Sequence, residues 1–574
     1  MSRKIFAGVA NFEKIIKGGG LYVDKSDFIE ELLNFGDEVI AIARPRRFGK
    51  TLNMSMLSYF FDINNGEENK KLFKGLKIEK SPYFSEQGQY PVINMTFKDV
   101  KERSWDKCIE KIKSIVSDEF IKHKYLLEGE GKKELEKKDK DYFKAVMEEE
   151  ISETKLKDSL KRLSQFLHQY FGKEVVILVD EYDTPIIEGE LAGYFKEASN
   201  FMQSFLSGAL KGVDSLHKGV VTGITRLQGA GIFSGLNNAD VCTVFENSYK
   251  NKFGFTEKEV KKLLGEYRLE DKGEEIREYY NGYNFRGEVI YNPYSVVKCI
   301  AKGEFSNFWL GSSSNDLAKM KLKKLIEIGD GRSVRKLIED LIQGKAVTTT
   351  ITGSIKISEE MTITDILNLF IYSGYLRYEA FRVGDDGLRS AEVMIPNREV
   401  KEIYRGTVEE WVEERYSLNE ILEFKVFLDS ICEGDEKAIK EGLESYLEGR
   451  STMDVERVEE MGYHNFFFGM MQGLKGRYDV ESNRESGSGR YDILLTPTKR
   501  QTKFLSFGAG IVIEFKVGKK EQLKKISENA LKQIEEKKYY KSLEGKGINK
   551  ARLIGIAFNK KEAEVTLKEI KLTR

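Results

Sequence analysis

The sequence has little cysteine and proline and no long hydrophobic run. Among its 574 residues are four cysteines and seven prolines. Cys108, Cys242, Cys299 and Cys432 lie far apart with no Cys-x-x-Cys spacing, which excludes a disulfide framework and a zinc knuckle. No block of eighteen apolar residues occurs, and the first twenty residues lack a continuous apolar stretch, so the sequence predicts neither a membrane span nor a signal peptide. We therefore expect a cytoplasmic protein.

The sequence also lacks net charge, but its charges are unevenly distributed. There are 93 Lys and Arg residues and 93 Asp and Glu residues. Residues 461–574 contain 24 basic and 13 acidic residues, a net charge of +11, which leaves 69 − 80 = −11 for residues 1–460. A basic segment on an acidic body is typical of a protein in which one domain contacts nucleic acid. A tail of solvated lysines is the alternative interpretation.

What is present is the composition of a soluble globular protein with several domains. Hydrophobic residues make up 40% of the chain and charged residues 32%, and the length indicates about three or four domains. Apolar strands are predicted at the start of residues 38–61 and over residues 91–97, 175–179 and 220–224. Because these unbroken strands alternate with helical stretches, they indicate a mainly parallel sheet covered on both faces.

The first candidate site is a phosphate-binding loop after the first strand. Residues 44–51 read RPRRFGKT and match the P-loop pattern GxxxxGK[ST], except that Arg44 stands where the first glycine should be. In this pattern backbone N–H groups close round the phosphates, the lysine contacts the β and γ phosphates, and the hydroxyl contacts magnesium. Arg44, Gly49, Lys50 and Thr51 are therefore predicted to bind ATP with Mg²⁺.

The strand at residues 175–179 provides the second half of this site. It has the Walker B arrangement, in which an apolar strand delivers Asp180 to the magnesium shell and Glu181 can orient the attacking water. The next strand ends at Thr225 and Arg226, where a polar sensor of the γ phosphate would lie. A surface salt bridge is the alternative for Arg226.

Several motifs in combination point to a family. RPRRFGKT is accompanied by YVDKS at residues 22–26, by VDEYDTPI at residues 179–186 and later by GLNN, YNGYNF and YNPYS. The chain resembles the AAA-ATPase-like family of prokaryotic proteins that carry a PD-(D/E)XK nuclease domain at the C terminus. The resemblance extends from Lys14 to beyond Tyr540, and it implies that Arg44 is usual at its place in the loop.

The loop contains two further arginines, Arg46 and Arg47. Their positions in the loop predict that both are exposed. The planar fork of an arginine suits either a phosphate or a group on a neighbouring subunit. Both are predicted to contact the nucleotide, with a subunit contact as the alternative.

The carboxyl-terminal segment carries the second candidate site. In a PD-(D/E)XK core, an Asp on one strand and Glu-x-Lys on the next converge at one sheet edge, where carboxylates hold a divalent cation beside the scissile phosphate. Asp492 in GRYDILL and Glu514-Phe515-Lys516 in IVIEFKV fit this scheme, and strand alternation puts Glu514 and Lys516 on one face. The resemblance implies that Asp492 and Glu514 bind Mg²⁺ or Mn²⁺ and that Lys516 is the catalytic cation.

Neighbouring residues support this second site. The Gly-rich turn RESGSGR, residues 484–490, allows a phosphate backbone to approach closely. Glu485 matches the family's SNRESGxGR stretch and is a further candidate metal ligand. ALKQIEEKKYY resembles the helix that follows the active strands in the nuclease superfamily, which implies that Gln533 belongs to the active site. Predicted phosphate and base contacts on this helix are Lys532, Lys537, Lys538 and Tyr539.

The predicted fold is therefore α/β with distinct domains. Residues 1–255 are predicted to form a P-loop domain of the AAA-ATPase-like type with a parallel sheet and a charged helical insertion at about 122–162. A helical lid is expected at residues 256–330 and a helical connector at residues 331–455, with a restriction-endonuclease-like α/β domain at residues 456–574. The connector is also the predicted surface for a protein partner or a second copy of the chain.

These features predict a metal-dependent nuclease that is regulated by ATP and acts on nucleic acid, with DNA as the expected substrate and a role in defence or mobile-element biology. Whether ATP is hydrolysed or only bound stays open, and so do two other functions. One is a nucleotide-switched module, similar to signalling ATPases, whose nuclease fold binds nucleic acid or protein without cutting. The other is an ATP-driven translocase with an accessory nuclease, against which the absence of helicase-like motifs argues.

Overall fold

The computed structural model describes most of the chain in two compact units. The described residues are 3–128, 134–224, 227–228, 238–309, 320–322, 333–356, 361–384, 387–415, 418–448, 467–468, 470–474, 477–482, 485–486, 489–498, 509–544, 546, 548–559 and 562–572. The first unit comprises residues 1–322 and 344–403, and the second comprises residues 323–343 and 404–574. The chain therefore passes from one unit to the other three times.

A five-stranded parallel sheet forms the centre of the first unit, which confirms the predicted parallel sheet. Its strands, numbered with all others in chain order, are β1 (Val39–Ala43), β2 (Val92–Thr96), β3 (Val175–Asp180), β4 (Leu216–Gly223) and β6 (Ala239–Cys242). Their order is β2-β3-β4-β1-β6. Every residue of β1 and β3 is buried, as expected for strands covered by helices on both faces. Strand β4 separates the strand that leads into the P-loop from the Walker B strand.

Helices connect these strands and cover the sheet. They are α1 (Phe12–Lys17), α2 (Asp27–Asn34), α3 (Lys50–Phe61), α4 (Gly66–Lys70), α5 (Trp105–Lys122), α6 (Lys137–Met147), α7 (Glu153–Lys157), α8 (Ser159–Phe171), α9 (Thr184–Ala192) and α10 (Phe195–Leu210). The charge-rich insertion contains α6 and α7. It packs against α5 and α8, because Phe143 lies between Phe120 of α5 and Phe166 of α8, with ring centroids 4.8 Å and 6.3 Å away.

The segment after the sheet combines helices with a small antiparallel sheet. Its elements are β7 (Phe255–Thr256), α11 (Glu257–Tyr267), α12 (Gly273–Tyr280), β8 (Tyr283–Phe285), β9 (Glu288–Tyr291) and α13 (Pro293–Lys302). Helix α11 begins at a capping box of Thr256 and Glu259. Glu259 also forms a 2.7 Å ion pair with the buried Lys25 of the YVDKS motif, so that motif ties the amino-terminal segment to α11.

The middle region contains strands as well as the predicted helices. Its elements are β10 (Val347–Thr350), β11 (Ile355–Lys356), α15 (Ile363–Ser373), β12 (Arg377–Val383) and β13 (Arg389–Met394), preceded by α14 (Ser333–Ile342) and followed by α16 (Arg398–Arg415), α17 (Leu418–Glu433) and α18 (Glu436–Glu448). Strands β10, β13 and β12 form an antiparallel sheet, and β11 pairs with the short strand β5 (Leu227–Gln228). Burial alternates along β13, which is the period-two pattern of a strand rather than of a helix.

The second unit has a mixed five-stranded sheet of order β14-β17-β18-β19-β20. Its elements are β14 (Tyr478–Ser482), β15 (Glu485–Ser486), β16 (Gly489–Arg490), β17 (Ile493–Pro497), β18 (Gly510–Val517), α19 (Leu523–Lys537), α20 (Lys541–Glu544), β19 (Lys550–Asn559) and β20 (Glu562–Lys571). Strands β18 and β19 are parallel and are joined through α19. A Cβ at Gly555 would lie 2.2 Å from the carbonyl oxygen of Ser527, so glycine is required for this helix to approach the sheet.

Buried aromatic rings and cysteines contribute to the interior of the protein. Phe467 stacks on Phe515 and Phe558, with ring centroids 5.1 Å and 5.2 Å away, and belongs to the core of the second unit. All four cysteines are free and buried. Within the described ranges, no helix is both long and apolar enough to cross a membrane.

Candidate functional site

The P-loop lies between the end of β1 and the start of α3. Gly49 occupies the N-cap position of α3 with φ +87°, a left-handed conformation that glycine adopts without strain. The turn aligns the first N–H groups of α3 at the loop mouth, where the positive end of the helix dipole favours an anion. The sequence-predicted loop is thus shaped to receive phosphate.

Lys50 is the buried cation of this loop, with an exposed fraction of 4%. Its Nζ donates hydrogen bonds to the carbonyl oxygens of Arg44 at 2.9 Å and of Pro45 at 3.0 Å. Burial lowers the pKa of Lys50, although nearby carboxylates act in the opposite direction. Because phosphate oxygens are stronger acceptors than carbonyl oxygens, a bound phosphate can take over this ammonium.

Asp180 brings together three neighbouring elements at the end of β3. Its Oδ2 accepts hydrogen bonds from the hydroxyls of Thr51 at 2.7 Å and Thr96 at 3.4 Å, and its Oδ1 accepts one from Thr222. Burial raises the pKa of Asp180 and the charge of Glu181 raises it further, while the hydroxyls of Thr222 and Thr51 oppose the shift. The structure therefore joins Thr51 to Asp180, as a shared magnesium site requires, and adds two threonines that the sequence analysis did not identify.

Glu181 follows Asp180 in a left-handed backbone conformation, with φ +53°. Its N–H donates to the hydroxyl of Thr222 at 3.4 Å, and its Oε2 accepts from the hydroxyl of Thr184 at 3.4 Å. A non-glycine residue in this conformation is uncommon and costs free energy. The surrounding bonds hold Glu181 at the same end of the sheet as Asp180.

Asp183 is a third carboxylate of this site, and the sequence analysis did not single it out. It is wholly buried, and its Oδ2 accepts a 2.6 Å hydrogen bond from the N–H of Ile224. Burial raises the pKa of Asp183 to about 6, while the Ile224 bond and the charge of Lys50 act to lower it. The available signal was the second Asp of VDEYD, which lies at the N-cap of α9.

Arg44 does not join the phosphate-facing groups, although it was predicted to bind the nucleotide. Its side chain is buried, and the guanidinium donates to the carbonyl oxygens of Cys242 at 2.8 Å and Ser248 at 3.3 Å. The structure thus places the Arg44 side chain in the core of the first unit, and only its backbone carbonyl faces Lys50.

The other arginines differ in position. The charge of Arg46 acts on both Lys50 and Asp183, so Arg46 lies near the predicted phosphate site. Arg47 is exposed and has its guanidinium 4.7 Å from the ring centroid of Tyr294. Arg226 lies outside the described residues.

The second site forms where β17 and β18 lie side by side. Asp492 immediately precedes β17, and its Oδ2 accepts a 2.8 Å hydrogen bond from the N–H of Phe515 on β18. Glu514 has a side chain that is 5% exposed, and its Oε1 lies 3.7 Å from Nζ of Lys516. The same Oε1 accepts a hydrogen bond from Nε2 of Gln533 on α19. Four sequence-predicted residues are therefore brought together.

Tyr539 extends this cluster. Its hydroxyl accepts a 3.3 Å hydrogen bond from Nε2 of Gln533. Burial raises the pKa of Tyr539 and the charges of Glu514 and Asp492 raise it further, with Gln533 acting against them. Helix α19 ends at a left-handed residue, Lys538, which turns Tyr539 back toward the carboxylates. From the sequence alone, Tyr539 is predicted only to contact a base.

Both sites lie in regions of the chain that match known families. Residues 6–233 match the family model described as "Predicted AAA-ATPase", and residues 458–568 match that of the PD-(D/E)XK nuclease superfamily. The chain joins an AAA-ATPase-like domain to a PD-(D/E)XK superfamily domain. The resemblance identified from the motifs is confirmed. The first match includes the P-loop and Asp180, and the second includes Asp492 and Tyr539.

The chain is also similar to a curated protein. It is an uncharacterized protein in the vnfD 5′ region of Azotobacter chroococcum mcd 1, 28% identical over 316 residues. The match covers 54% of each protein, so the chain spans about half the length of this relative. No solved structure matches the chain.

The donor set of the PD-(D/E)XK domain suits a hard divalent cation. Asp492 and Glu514 offer carboxylate oxygens from adjacent strands, the ligand type that Mg²⁺ and Mn²⁺ prefer. Among the described side chains, no group of three Asp, Glu, His or Cys residues is placed to hold a metal ion. Glu485 is the remaining sequence candidate; its backbone is in β15, but its side chain lies outside the described part of the structure.

Proposed function

We propose that this chain is a Mg²⁺- or Mn²⁺-dependent nuclease that acts on DNA and is regulated by ATP bound at the P-loop. The observation that carries the proposal is the convergence of Asp492, Glu514, Lys516 and Gln533 from two strands and one helix at one edge of the sheet. A surface Glu-Lys pair on a strand would not need the half-buried amide of Gln533 and the Asp of the neighbouring strand.

The residues at this edge of the sheet have different proposed roles. Asp492 and Glu514 would hold the cation, which supplies Lewis acidity toward the scissile phosphate. Gln533 fixes the orientation of the Glu514 carboxylate through its amide. Lys516, whose side chain is 31% exposed, can reach a substrate from solvent and offset the negative charge that develops on the phosphate.

At the P-loop, ATP binding would exploit groups that are already in place. The phosphates would replace the Arg44 and Pro45 carbonyls as acceptors for Lys50, and Thr51 and Asp180 would contact the accompanying Mg²⁺. Glu181 would orient a water molecule for hydrolysis. Substitution of Glu181 by Gln separates hydrolysis from binding, because the amide keeps the shape but cannot act as a base.

Charge and composition support the proposed substrate and location. The excess of 24 basic over 13 acidic residues in 461–574 favours a polyanion at the second unit. Free cysteines fit a reducing compartment such as the cytoplasm. The middle region is the proposed surface for a protein partner or a second copy, and defence against foreign DNA or mobile-element biology is the proposed setting.

The test is cleavage of circular duplex, linear duplex and single-stranded DNA, and of RNA, by the full chain with Mg²⁺ or Mn²⁺, with and without ATP. Asp492→Ala is compared with Asp479→Ala, which removes an exposed carboxylate from the neighbouring strand β14. Products that vanish only in Asp492→Ala establish the nuclease, and their dependence on ATP shows whether the P-loop domain activates or restrains it.

Three outcomes contradict the proposal. Equal cleavage by the wild type and Asp492→Ala would mean that another site or a contaminant cuts. Absence of products with every substrate, together with ATP-dependent binding of nucleic acid or protein, would identify the chain as a nucleotide-switched binding module. Strand displacement driven by sustained ATP hydrolysis would instead identify a translocase.

A further inference from the structure

The P-loop departs from the usual pattern at Arg44, and the structure shows what the side chain does there. Arg44 is 0% exposed. Its guanidinium lies over the rings of Phe253 and Phe285, 5.7 Å and 5.2 Å from their centroids. A charged side chain is seldom wholly buried unless its donors are satisfied. The partners of Arg44 therefore indicate why the residue is present.

Those partners are backbone carbonyls rather than carboxylates. Nη1 donates to the carbonyl oxygens of Ala43 at 2.9 Å and Cys242 at 2.8 Å, and Nη2 donates to that of Ser248 at 3.3 Å. Cys242 ends β6, and Ser248 lies in the loop that follows. The side chain thus connects the start of the P-loop to residues 242–254, which we call the brace segment.

Other residues of the P-loop and of α3 contact the same segment. The carbonyl oxygen of Phe48 accepts a 3.0 Å hydrogen bond from the N–H of Gly254. The side-chain amide of Asn53 donates to the carbonyl oxygen of Lys252 at 3.0 Å. The brace segment therefore supports the loop along its length, and Arg44 supplies the charged, fully buried part of this support.

Arg44 also touches the cation of the nucleotide site, through its backbone. Its carbonyl oxygen is one of the two acceptors of the Lys50 ammonium. A phosphate that draws Lys50 away would release this carbonyl, while the Arg44 side chain stays bonded to the brace segment. One residue is thus linked to nucleotide occupancy on one side and to the brace segment on the other.

We propose that Arg44 is a positioning residue that holds the P-loop in its phosphate-binding shape and transmits nucleotide occupancy to the brace segment. The inference rests on the proposed ATP binding. A glycine at this place could do neither, because it has no side chain to bond to Cys242 and Ser248. The departure from the ordinary pattern is then a functional feature of this loop.

The first experiment uses the unaltered full chain. Hydrogen exchange is measured with and without saturating ATP and Mg²⁺, after binding has been shown by calorimetry. We expect slower amide exchange in the brace segment when ATP is bound. Exchange in this segment that ATP leaves unchanged, in a protein that binds ATP, would overturn the inference. A wild type that does not bind ATP would instead contradict the proposed function.

The second experiment restores the ordinary pattern. Arg44→Gly creates the standard glycine, and on pattern alone it should bind ATP at least as well as the wild type. We expect binding about tenfold weaker or more, because several hydrogen bonds from a charged group are lost. Arg44→Lys should recover part of the affinity, and Arg103→Met, a change at an exposed arginine of the same unit, should leave it unchanged.

Arg44→Met at saturating ATP separates two effects. One is weaker ATP binding, and the other is loss of the link between bound ATP and the brace segment. This variant fills much of the same volume without the donors, and we expect it to bind ATP without the slower exchange of the brace segment. Wild-type affinity in a folded Arg44→Gly, or wild-type protection of the brace segment in ATP-bound Arg44→Met, would each overturn the inference. If Arg44→Gly does not fold, the wild-type exchange result and Arg44→Met decide it.

Discussion

The two candidate sites use similar side chains in opposite surroundings. At the P-loop, Lys50 and Asp180 are buried and already bonded to loop carbonyls and threonine hydroxyls. At the nuclease edge, Glu514 is buried but Lys516 is 31% exposed. A buried, bonded site suits a ligand that enters and replaces existing partners, whereas a partly open one suits a polymer that lies across it. Burial, more than residue type, separates the two chemistries.

The largest expected effect is at the open site. Asp492→Ala should reduce cleavage by ~10⁴-fold or more, because the metal loses a carboxylate ligand. Thermal unfolding should change little, since Asp492 is only half-buried. Cleavage assays and melting curves on Asp492→Ala and Asp479→Ala check both halves. A large loss of stability in Asp492→Ala alone would mean that the open site is structural.

The next effect is at the closed site. Lys50→Ala should weaken ATP binding by ~10³-fold, or about 4 kcal/mol, because the buried cation and its charged hydrogen bonds to phosphate are lost. Calorimetry with ATP and Mg²⁺ measures it, with Lys525→Ala, an exposed lysine of α19, as the matched control. Unchanged affinity in Lys50→Ala would show that nucleotide does not bind here.

A smaller effect should appear as a dependence of stability on pH. Burial raises the pKa of Asp183 from 3.8 to about 6, so the folded state holds this proton more tightly than the unfolded state. Stability from this group is therefore present at low pH and is lost as pH rises from about 4 to about 6, by at most ~3 kcal/mol. Lys50, Arg46 and Glu181 face the same carboxylate.

Asp183→Asn tests that dependence. Asparagine keeps an acceptor for the Ile224 N–H but cannot ionise, so the stability of the variant relative to the wild type should rise between pH 4.5 and pH 7. Chemical unfolding of the first unit measures the difference, with hydrogen exchange of β4 as the readout. A constant difference across this range would show that Asp183 does not titrate there.

The smallest expected effect concerns Tyr539. Tyr539→Phe removes the hydroxyl that accepts from Gln533, but Gln533 keeps its bond to Glu514. We expect a few-fold decrease in cleavage rate with little change in substrate affinity, since one neutral hydrogen bond is worth about 1 kcal/mol. Steady-state assays separate the two constants. A loss as large as that of Asp492→Ala would place the tyrosine in direct contact with the reacting phosphate.

The sequence alone was sufficient to predict candidate site residues that directly follow a strand or lie within one. GKT after β1, Asp-Glu after β3 and Glu-x-Lys within β18 each carry their spacing in the chain, and Thr51 meets Asp180 as expected. The contacts made by Thr96, Thr222 and Asp183 depend on which strands are neighbours. That order arises from packing of the whole sheet, and a single sequence does not encode it locally.

Arg44 and the middle region show a second limit of prediction from a single sequence. An arginine in a phosphate loop suggests a phosphate contact, and only the packed structure shows that its Nη1 and Nη2 atoms donate to backbone carbonyls. The strands β12 and β13 were hidden because helical patterns flank them on both sides. In both cases the long-range environment overrides the local pattern.

The chain crosses between its two units three times. These crossings determine how the protein can be divided. Helix α14 belongs to the second unit although residues 344–403 of the first unit follow it, and the side-chain amide of Gln343 donates a 2.7 Å hydrogen bond to the hydroxyl of Ser482. A single proteolytic cut between the units leaves them covalently joined at the other two crossings. A gene that ends after residue 403 encodes the whole first unit together with residues 323–343 of the second, whereas any continuous stretch that contains the whole second unit also contains residues 344–403 of the first.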